Sequence, residues 1–233
     1  DELANQAAKM HYMFAGQYHC PLVLRVSSGA VRAAGSHHAQ SLEAWATHVP
    51  GLKTVAPVTA SDAKGMIISA IRDDDPVLFV EHKALLQLKD EVPEGEYTVP
   101  IGKAAVRRQG RDVTLLAWSA MVNTCLEAAE SLAGQGIDAE VIDLRTLIPL
   151  DRDAVLESVG KTGRLVVAHE AVKTGGFGAE VAAMVAEEGF DLLKAPVRRV
   201  AAPDCPVPYS PPLLNRFVPR PQDIVAAAQD LCG

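Results

Sequence analysis

The sequence predicts an α/β fold built on mostly parallel sheets, and three features carry that prediction. Residues 53–80 read strand, helix, strand, with about the length that a crossover between parallel strands needs. After residue 111, short apolar runs alternate with amphipathic stretches, the pattern of a parallel sheet wrapped by helices. Of the 233 residues, 48% are hydrophobic and 22% charged, enough for a proper core and not the composition of a disordered chain. The length suits one large or two modest domains.

Taken in order, the opening run DELANQAAKMHYMF places Leu3, Ala7, Met10, Met13 and Phe14 at helical spacing and suits an amphipathic helix. Residues 20–26, CPLVLRV, read as a buried strand. Residues 27–36, rich in Ser, Gly and Ala, read as a loop with close backbone approaches. The paired His37 and His38 precede a short helix, a Pro50-Gly51 turn and an apolar strand at 53–56. A helix capped by Ser61 or Asp62 carries Ala63, Ile67, Ile68 and Ile71 at helical spacing. Asp73, Asp74, Asp75 and Pro76 end it before a strand at 77–80.

The character changes over residues 88–110, which are polar, with two prolines, three glycines and one short strand at 104–107. This stretch reads as a linker between a first unit, 1–87, and a second, 111–233. The second unit opens with a strand at 112–117 and a helix at 122–134, closed by Gly134 and Gly136. A strand at 139–143, a helix from Asp151, a strand at 164–168 and a helix at 179–188 follow. A short strand at 197–200, an irregular proline-rich segment and a last helix at 222–231 complete it.

The net charge of −7 argues against a nucleic-acid or anionic-membrane surface. No apolar run approaches the ~20 residues of a membrane span. No signal peptide is legible, although Asp1 is not an initiator methionine, so a removed targeting segment is compatible. Cys20, Cys125, Cys205 and Cys232 are scattered, with no C-x-x-C pair. That disfavours a zinc site or a disulfide framework and suits a reducing compartment, either bacterial cytoplasm or mitochondrial matrix.

Several residues could carry chemistry. His38 follows a Gly/Ser-rich loop after a strand, where α/β folds place ligand-facing groups. An imidazole there can move protons near neutrality, or it can serve only as a local helix cap. Asp73, Asp74 and Asp75 stand at a helix C-terminus and oppose its macrodipole unless a cation compensates. Gly175, Gly176 and Gly178 flank a helix start that could hold an anion, but without the spacing of a nucleotide motif, which favours a structural role. Asp143 with Arg145 is more often structural, His169-Glu170 is a single strand-end pair, and Arg198, Arg199, Arg216 and Arg220 suit a docking surface.

The words HHAQS, HVPGLKTVAPVTASDAKGMIISAIRDDDPVLFVEHK, VIDLRTLIPLD and HEAVKTGGFGAE run in order over most of the chain. In them the chain resembles the beta subunit of a thiamine-dependent 2-oxo acid dehydrogenase, the decarboxylase component, within the transketolase-like superfamily. The resemblance implies the latter part of a pyrimidine-binding domain followed by a transketolase C-terminal-like domain. It implies an oxidoreductase reaction: decarboxylation of a 2-oxo acid and acyl transfer to the lipoyl arm of a dihydrolipoamide acyltransferase core. It further implies an α2β2 heterotetramer, with thiamine diphosphate and Mg2+ shared with the alpha subunit.

Site residues follow from the same resemblance. Similar proteins read Gln-His-Ser-Gln or Tyr-His-Ser-Gln where this chain has His37-His38-Ala39-Gln40, and their histidine lies at the active-site mouth. His38 matches it, while His37 and Ala39 depart from its usual neighbours. Similar proteins also hold a structural K+ ion, here implied for oxygens of Cys20, Leu22, Val23, Ala70, Asp73 and Asp75, mostly backbone carbonyls. The glutamate that activates the cofactor lies upstream in the family, and no residue here matches it. FVEHK and YTVPIGKA look more like branched-chain and acetoin-type members, which places a branched-chain 2-oxo acid ahead of pyruvate and acetoin. Rival readings are another transketolase-like enzyme and a catalytically silent assembly module.

Overall fold

The computed structural model describes residues 1–31 and 34–233. The expected opening helix is helical throughout but changes pitch. A wide turn at Glu2–Gln6 and a 3-10 turn at Ala7–Lys9 lead into α1, Met10–Met13. Only Ala7 and Ala8 of this stretch are buried, and Tyr12, Met13 and Phe14 face solvent, so the amphipathic stripe does not continue to its end. The chain turns at Ala15 and Gly16, both at positive φ, and enters β1, Val23–Ser28.

β1 starts later than residues 20–26 suggest and is not fully buried: Leu24 is 39% exposed. Among the described residues it is the edge of its sheet. The loop expected over 27–36 crosses Arg32 and Ala33, which lie outside the described residues. Two short helices follow: α2, Gly35–His38, which takes the last two residues of that expected loop, and α3, Glu43–Thr47. Next come β2, Lys53–Val55, α4, Ala60–Ile71, and β3, Val77–His82. β1 and β2 both pair in parallel with β3, which sits between them and is buried at five of its six residues.

Helix α4 differs from its expected form at both ends. Its cap is Thr59, whose hydroxyl accepts the Asp62 N–H at 3.0 Å, in place of Ser61 or Asp62. Its buried face carries Asp62, Gly65, Met66 and Ala70, while Ile71 is 64% exposed. The outer side of α4 is strapped by the chain that follows β3. Lys64 Nζ donates to Pro93 O, Tyr97 Oη to Ser61 O and Ser69 Oγ to Val99 O, at 2.7–2.8 Å. The polar stretch 88–110 is thus laid along the first unit.

The second sheet follows: β4, Ala105–Arg108; β5, Val113–Ala117; α5, Met121–Ala133; and β6, Ala139–Asp143. Then come β7, Thr146–Ile148, α6, Arg152–Thr162, β8, Leu165–Val172, α7, Phe177–Glu188, and β9, Arg198–Ala202. The strand order is β4-β6-β5-β8-β9, parallel except for the antiparallel edge β4. The proline-rich segment read as irregular contains α8, Pro211–Phe217, before α9, Pro221–Cys232. Proline is accommodated in a first helical turn because its missing N–H would have no partner there.

The two sheets are interlocked. β7 leaves the second and pairs antiparallel with β2, giving the first sheet the order β1-β3-β2-β7. One core cluster runs from Leu52, Leu78 and Val80 through Leu147 to Leu116, Ile142 and Val167. A half-buried ion cluster crosses the same boundary: Arg107 meets both Asp62 and Asp143, and Arg145 Nη1 lies 3.1 Å from Asp62 Oδ1. Burial alone would push Asp62 up, but Arg107, the Thr59 hydroxyl and Arg145 hold it below the usual carboxylate range.

Breaking such a cluster from one side leaves cations without their counter-charge. Asp62→Ala is expected to destabilise the protein by about 3 kcal/mol. Arg72→Ala, which opens the exposed Arg72–Glu96 pair, should cost less than about 1 kcal/mol. Urea unfolding of both variants checks this. Equal shifts of the two midpoints would contradict the assignment.

Candidate active site around His38 and Glu170

His38 ends α2 and its ring is exposed. The segment that carries it is fixed on both sides. Ser36 Oγ donates to Val207 O at 2.8 Å, and Lys83 Nζ donates to the His38 carbonyl. Ala39, the departure from the serine of similar proteins, is buried with Ala202, Val207, Leu214 and Phe217. An alanine therefore suits its surroundings. His37, Gln40 and Ser41 line a cleft of about 370 Å³ that continues along Glu170 and Val172 to Phe217.

Beneath this segment lies a buried carboxylate from the second sheet. Glu170 Oε1 accepts the Ala30 N–H at 2.5 Å and the Ser41 hydroxyl at 3.4 Å. Its Oε2 lies 2.9 Å from His82 Nε2. The tautomer of His82 follows from its other nitrogen. Nδ1 accepts the Ala84 N–H at 3.2 Å, so the ring proton sits on Nε2 and donates to Glu170. Burial alone would push Glu170 up, but His82, Ala30 and Ser41 together hold it below the ordinary carboxylate range. Gly29 makes the approach possible: a Cβ there, at φ +98°, would stand 2.1 Å from His82 Nε2.

A second carboxylate adjoins the first. Glu43, at the start of α3, accepts the Trp118 indole N–H at 3.1 Å, and burial pushes its carboxyl up. With Ser28, Ser41, His82, Ser119 and Glu170 it lines a narrow space under the His38 segment. Two neighbouring buried carboxyls thus differ in state, Glu170 held ionised by its donors and Glu43 pushed toward the neutral form.

The acidic turn lies against the start of β1. Cys20 N donates to Asp74 O at 3.1 Å, Leu22 O accepts from Val77 N at 2.8 Å, and Val23 pairs with Val77. Ala70 O accepts from Asp73 N at 3.3 Å. The six residues implied for a cation are therefore neighbours. The charge that offsets the aspartates is already present in the chain, because Lys53 Nζ lies 2.6 Å from Asp73 and 3.2 Å from Asp75. Lys53 engages both carboxylate oxygens of Asp73 but only Oδ2 of Asp75, and the backbone carbonyls of the turn are what would serve an alkali ion.

Two family models match the chain: the pyrimidine-binding domain of transketolase over residues 3–89 and the transketolase C-terminal domain over residues 102–224. The chain belongs to the transketolase family. Within it, the chain is related to E1 beta subunits. It is 48% identical over its whole length to the beta subunit of an acetoin:2,6-dichlorophenolindophenol oxidoreductase from Bacillus subtilis, and 49% identical to that of Cupriavidus necator. It is 46% identical to a mitochondrial pyruvate dehydrogenase E1 beta subunit from Oryza sativa. It spans 68% of the two acetoin relatives and 63% of the rice protein. Among solved structures, a split-gene transketolase in an inactive beta4 tetramer is similar, with TM-score 0.79 and 26% identity, covering 99% of this chain and 70% of that one.

In this transketolase-family chain the Gly175–Gly178 turn serves packing. His169 stacks on Trp118, with centroids 5.3 Å apart. A Cβ on Gly176 or Gly178 would come within 2.6 Å of its ring. Burial pushes the His169 imidazole down to about 4 from an ordinary 6.5. The unfolded chain therefore takes up a proton between those values that the folded chain refuses. The neutral ring's contribution is complete above the unfolded value and is lost as the pH falls toward the folded one. Between pH 7 and 4, the native protein is expected to lose about 3 kcal/mol more stability than His169→Leu. Urea unfolding at each pH measures the difference, and parallel stability curves would refute it.

Proposed function

We propose that this chain is the beta-type half of a thiamine diphosphate-dependent E1 enzyme, and that His38 is its substrate-facing proton donor and hydrogen-bonding group. The observation that carries the reading is the presentation of His38. The residue is exposed while Lys83 just after β3, Val207 after β9 and Glu170 of β8 hold the segment that carries it. An imidazole held in that way is oriented for a reacting group supplied by a partner surface.

The residues present do not compose a diphosphate–magnesium site. Magnesium takes a nearly complete oxygen shell. The one grouping of three metal-ligating side chains among the described residues is nitrogen-rich: His11, His19 and Asp75. An alpha subunit is the natural source of that site, in an α2β2 assembly. This chain would supply His38, steadied by Lys83 and by the Glu170–Ser41 contact. A dihydrolipoamide acyltransferase core would receive the acyl group on its lipoyl arm. A potassium ion, where one is held, would sit on oxygens, mostly main-chain, of Cys20, Leu22, Val23, Ala70, Asp73 and Asp75, with Lys53 offsetting the Asp73 and Asp75 side chains. Free thiols at all four cysteines suit bacterial cytoplasm or mitochondrial matrix.

The substrate preference is revised. The relatives described above are named for acetoin and pyruvate, and a branched-chain 2-oxo acid loses its first place. Our reading puts acetoin ahead of pyruvate, and 48–49% identity to the acetoin proteins against 46% to the rice pyruvate protein supports that order. A second reading, an assembly module without turnover of its own, is favoured by the similarity to a beta4 tetramer that is itself inactive.

The test is dye reduction by the complex captured through this subunit, with thiamine diphosphate and Mg2+, run in KCl and in NaCl. Acetoin, pyruvate and 3-methyl-2-oxobutanoate are offered in turn. Turnover highest with acetoin, and reduced about a hundredfold or more in His38→Ala, is the expected result. Higher rate or thermal stability in KCl would support the carbonyl-bound ion. Full activity in His38→Ala would overturn the role of His38, and no turnover with the alpha partner present would leave the assembly module.

A further inference from the structure

Away from the His38 segment, the turn after α1 and the turn before β3 bring three metal-ligating side chains together. His11 lies in α1, His19 in the loop before β1, and Asp75 in the acidic turn. One ligand atom from each lies within 4.8 Å of the others. The two imidazoles are near neighbours, with centroids 4.7 Å apart and planes 32° apart. Positive φ at Ala15 and Gly16 reverses the chain between them.

From this arrangement we propose a surface site for a divalent transition ion of the zinc class, held by His11, His19 and Asp75. Three further features of the site fit a metal. His11 Nδ1 lies 3.3 Å from the Tyr18 carbonyl. Donation to that oxygen places the proton on Nδ1 and leaves Nε2 free to ligate, the arrangement by which metal-binding histidines are usually oriented. The local charge is suitable, since Asp73 and Asp75 share the one ammonium of Lys53 and so keep a net negative charge beside the histidines. That ammonium engages Asp75 through Oδ2 and leaves Oδ1 for a metal.

The donor set decides the class of ion. Two imidazoles and one carboxylate suit zinc, cobalt, nickel or copper, whereas magnesium and calcium take oxygen shells. The two histidines are exposed, so water fills the remaining positions and the site stays open. Occupancy would pin the α1 segment and the start of β1 to the acidic turn. This is distinct from the potassium reading, which uses mostly main-chain oxygens.

The experiment is titration of the EDTA-stripped full chain with zinc chloride, followed by calorimetry, with cobalt chloride as a spectroscopic probe. One zinc per chain is expected. His11→Ala and His19→Ala should each weaken binding about tenfold or more, and the exposed His48→Ala should leave it unchanged. The cobalt complex should show visible bands that disappear in His11→Ala. These residues lie at the surface, and circular dichroism establishes that the variants fold. Zinc affinity unaltered in both histidine variants, or equal losses in His48→Ala, would overturn the site.

Discussion

The structure depends on one buried carboxylate, Glu170. Its charge is held in the interior by three donors, and two of them, Ala30 N–H and Ser41 Oγ, come from the chain on either side of His38. The third, His82, ends the central strand of the first sheet. A carboxylate without those donors would be costly at that depth. Gly29 is required for the same reason, because any side chain there would displace the His82 ring.

The contact lies on a wider seam. β7 is covalently part of the second unit and hydrogen-bonded into the first. The apolar cluster containing Leu78, Val80, Leu147 and Leu116 crosses between the two sheets. Asp62, Arg107, Arg145 and Asp143 add a charge cluster at the first turn of α4. Each sheet buries part of its apolar surface in the shared apolar cluster, so the geometry under His38 depends on the packing of both. A histidine whose neighbours are fixed from two directions is better oriented than one on a free loop.

Much of this was legible in the sequence. Strand and helix periodicity located the parallel sheets, and the HHAQS word singled out His38. What was not legible is long-range. His82 and Glu170 stand 88 positions apart, and no local pattern links them. Ile67, Ile68 and Ile71 looked like the buried face of α4 because they are the larger apolar residues, yet Met66 and Ala70 face the sheet. Asp62 looked like a cap because Asp favours helix starts, and Thr59 took that place while Asp62 turned to two arginines. Lys53, read only as part of a strand, supplies the cation that the three aspartates called for. The helix α8 was hidden by Pro211 and Pro212, which read as loop until placed in a first turn.

The most direct measurement is amide hydrogen exchange over residues 28–43 in the native chain and in Glu170→Gln. Glutamine keeps the size but loses the charge, and in either amide orientation its NH2 group would meet a donor, His82 Nε2–H or Ala30 N–H. The account predicts faster exchange across that segment, with β5 and α5 as protected as before. Unchanged exchange over 28–43 would show that the His38 segment does not depend on Glu170, and would contradict the account.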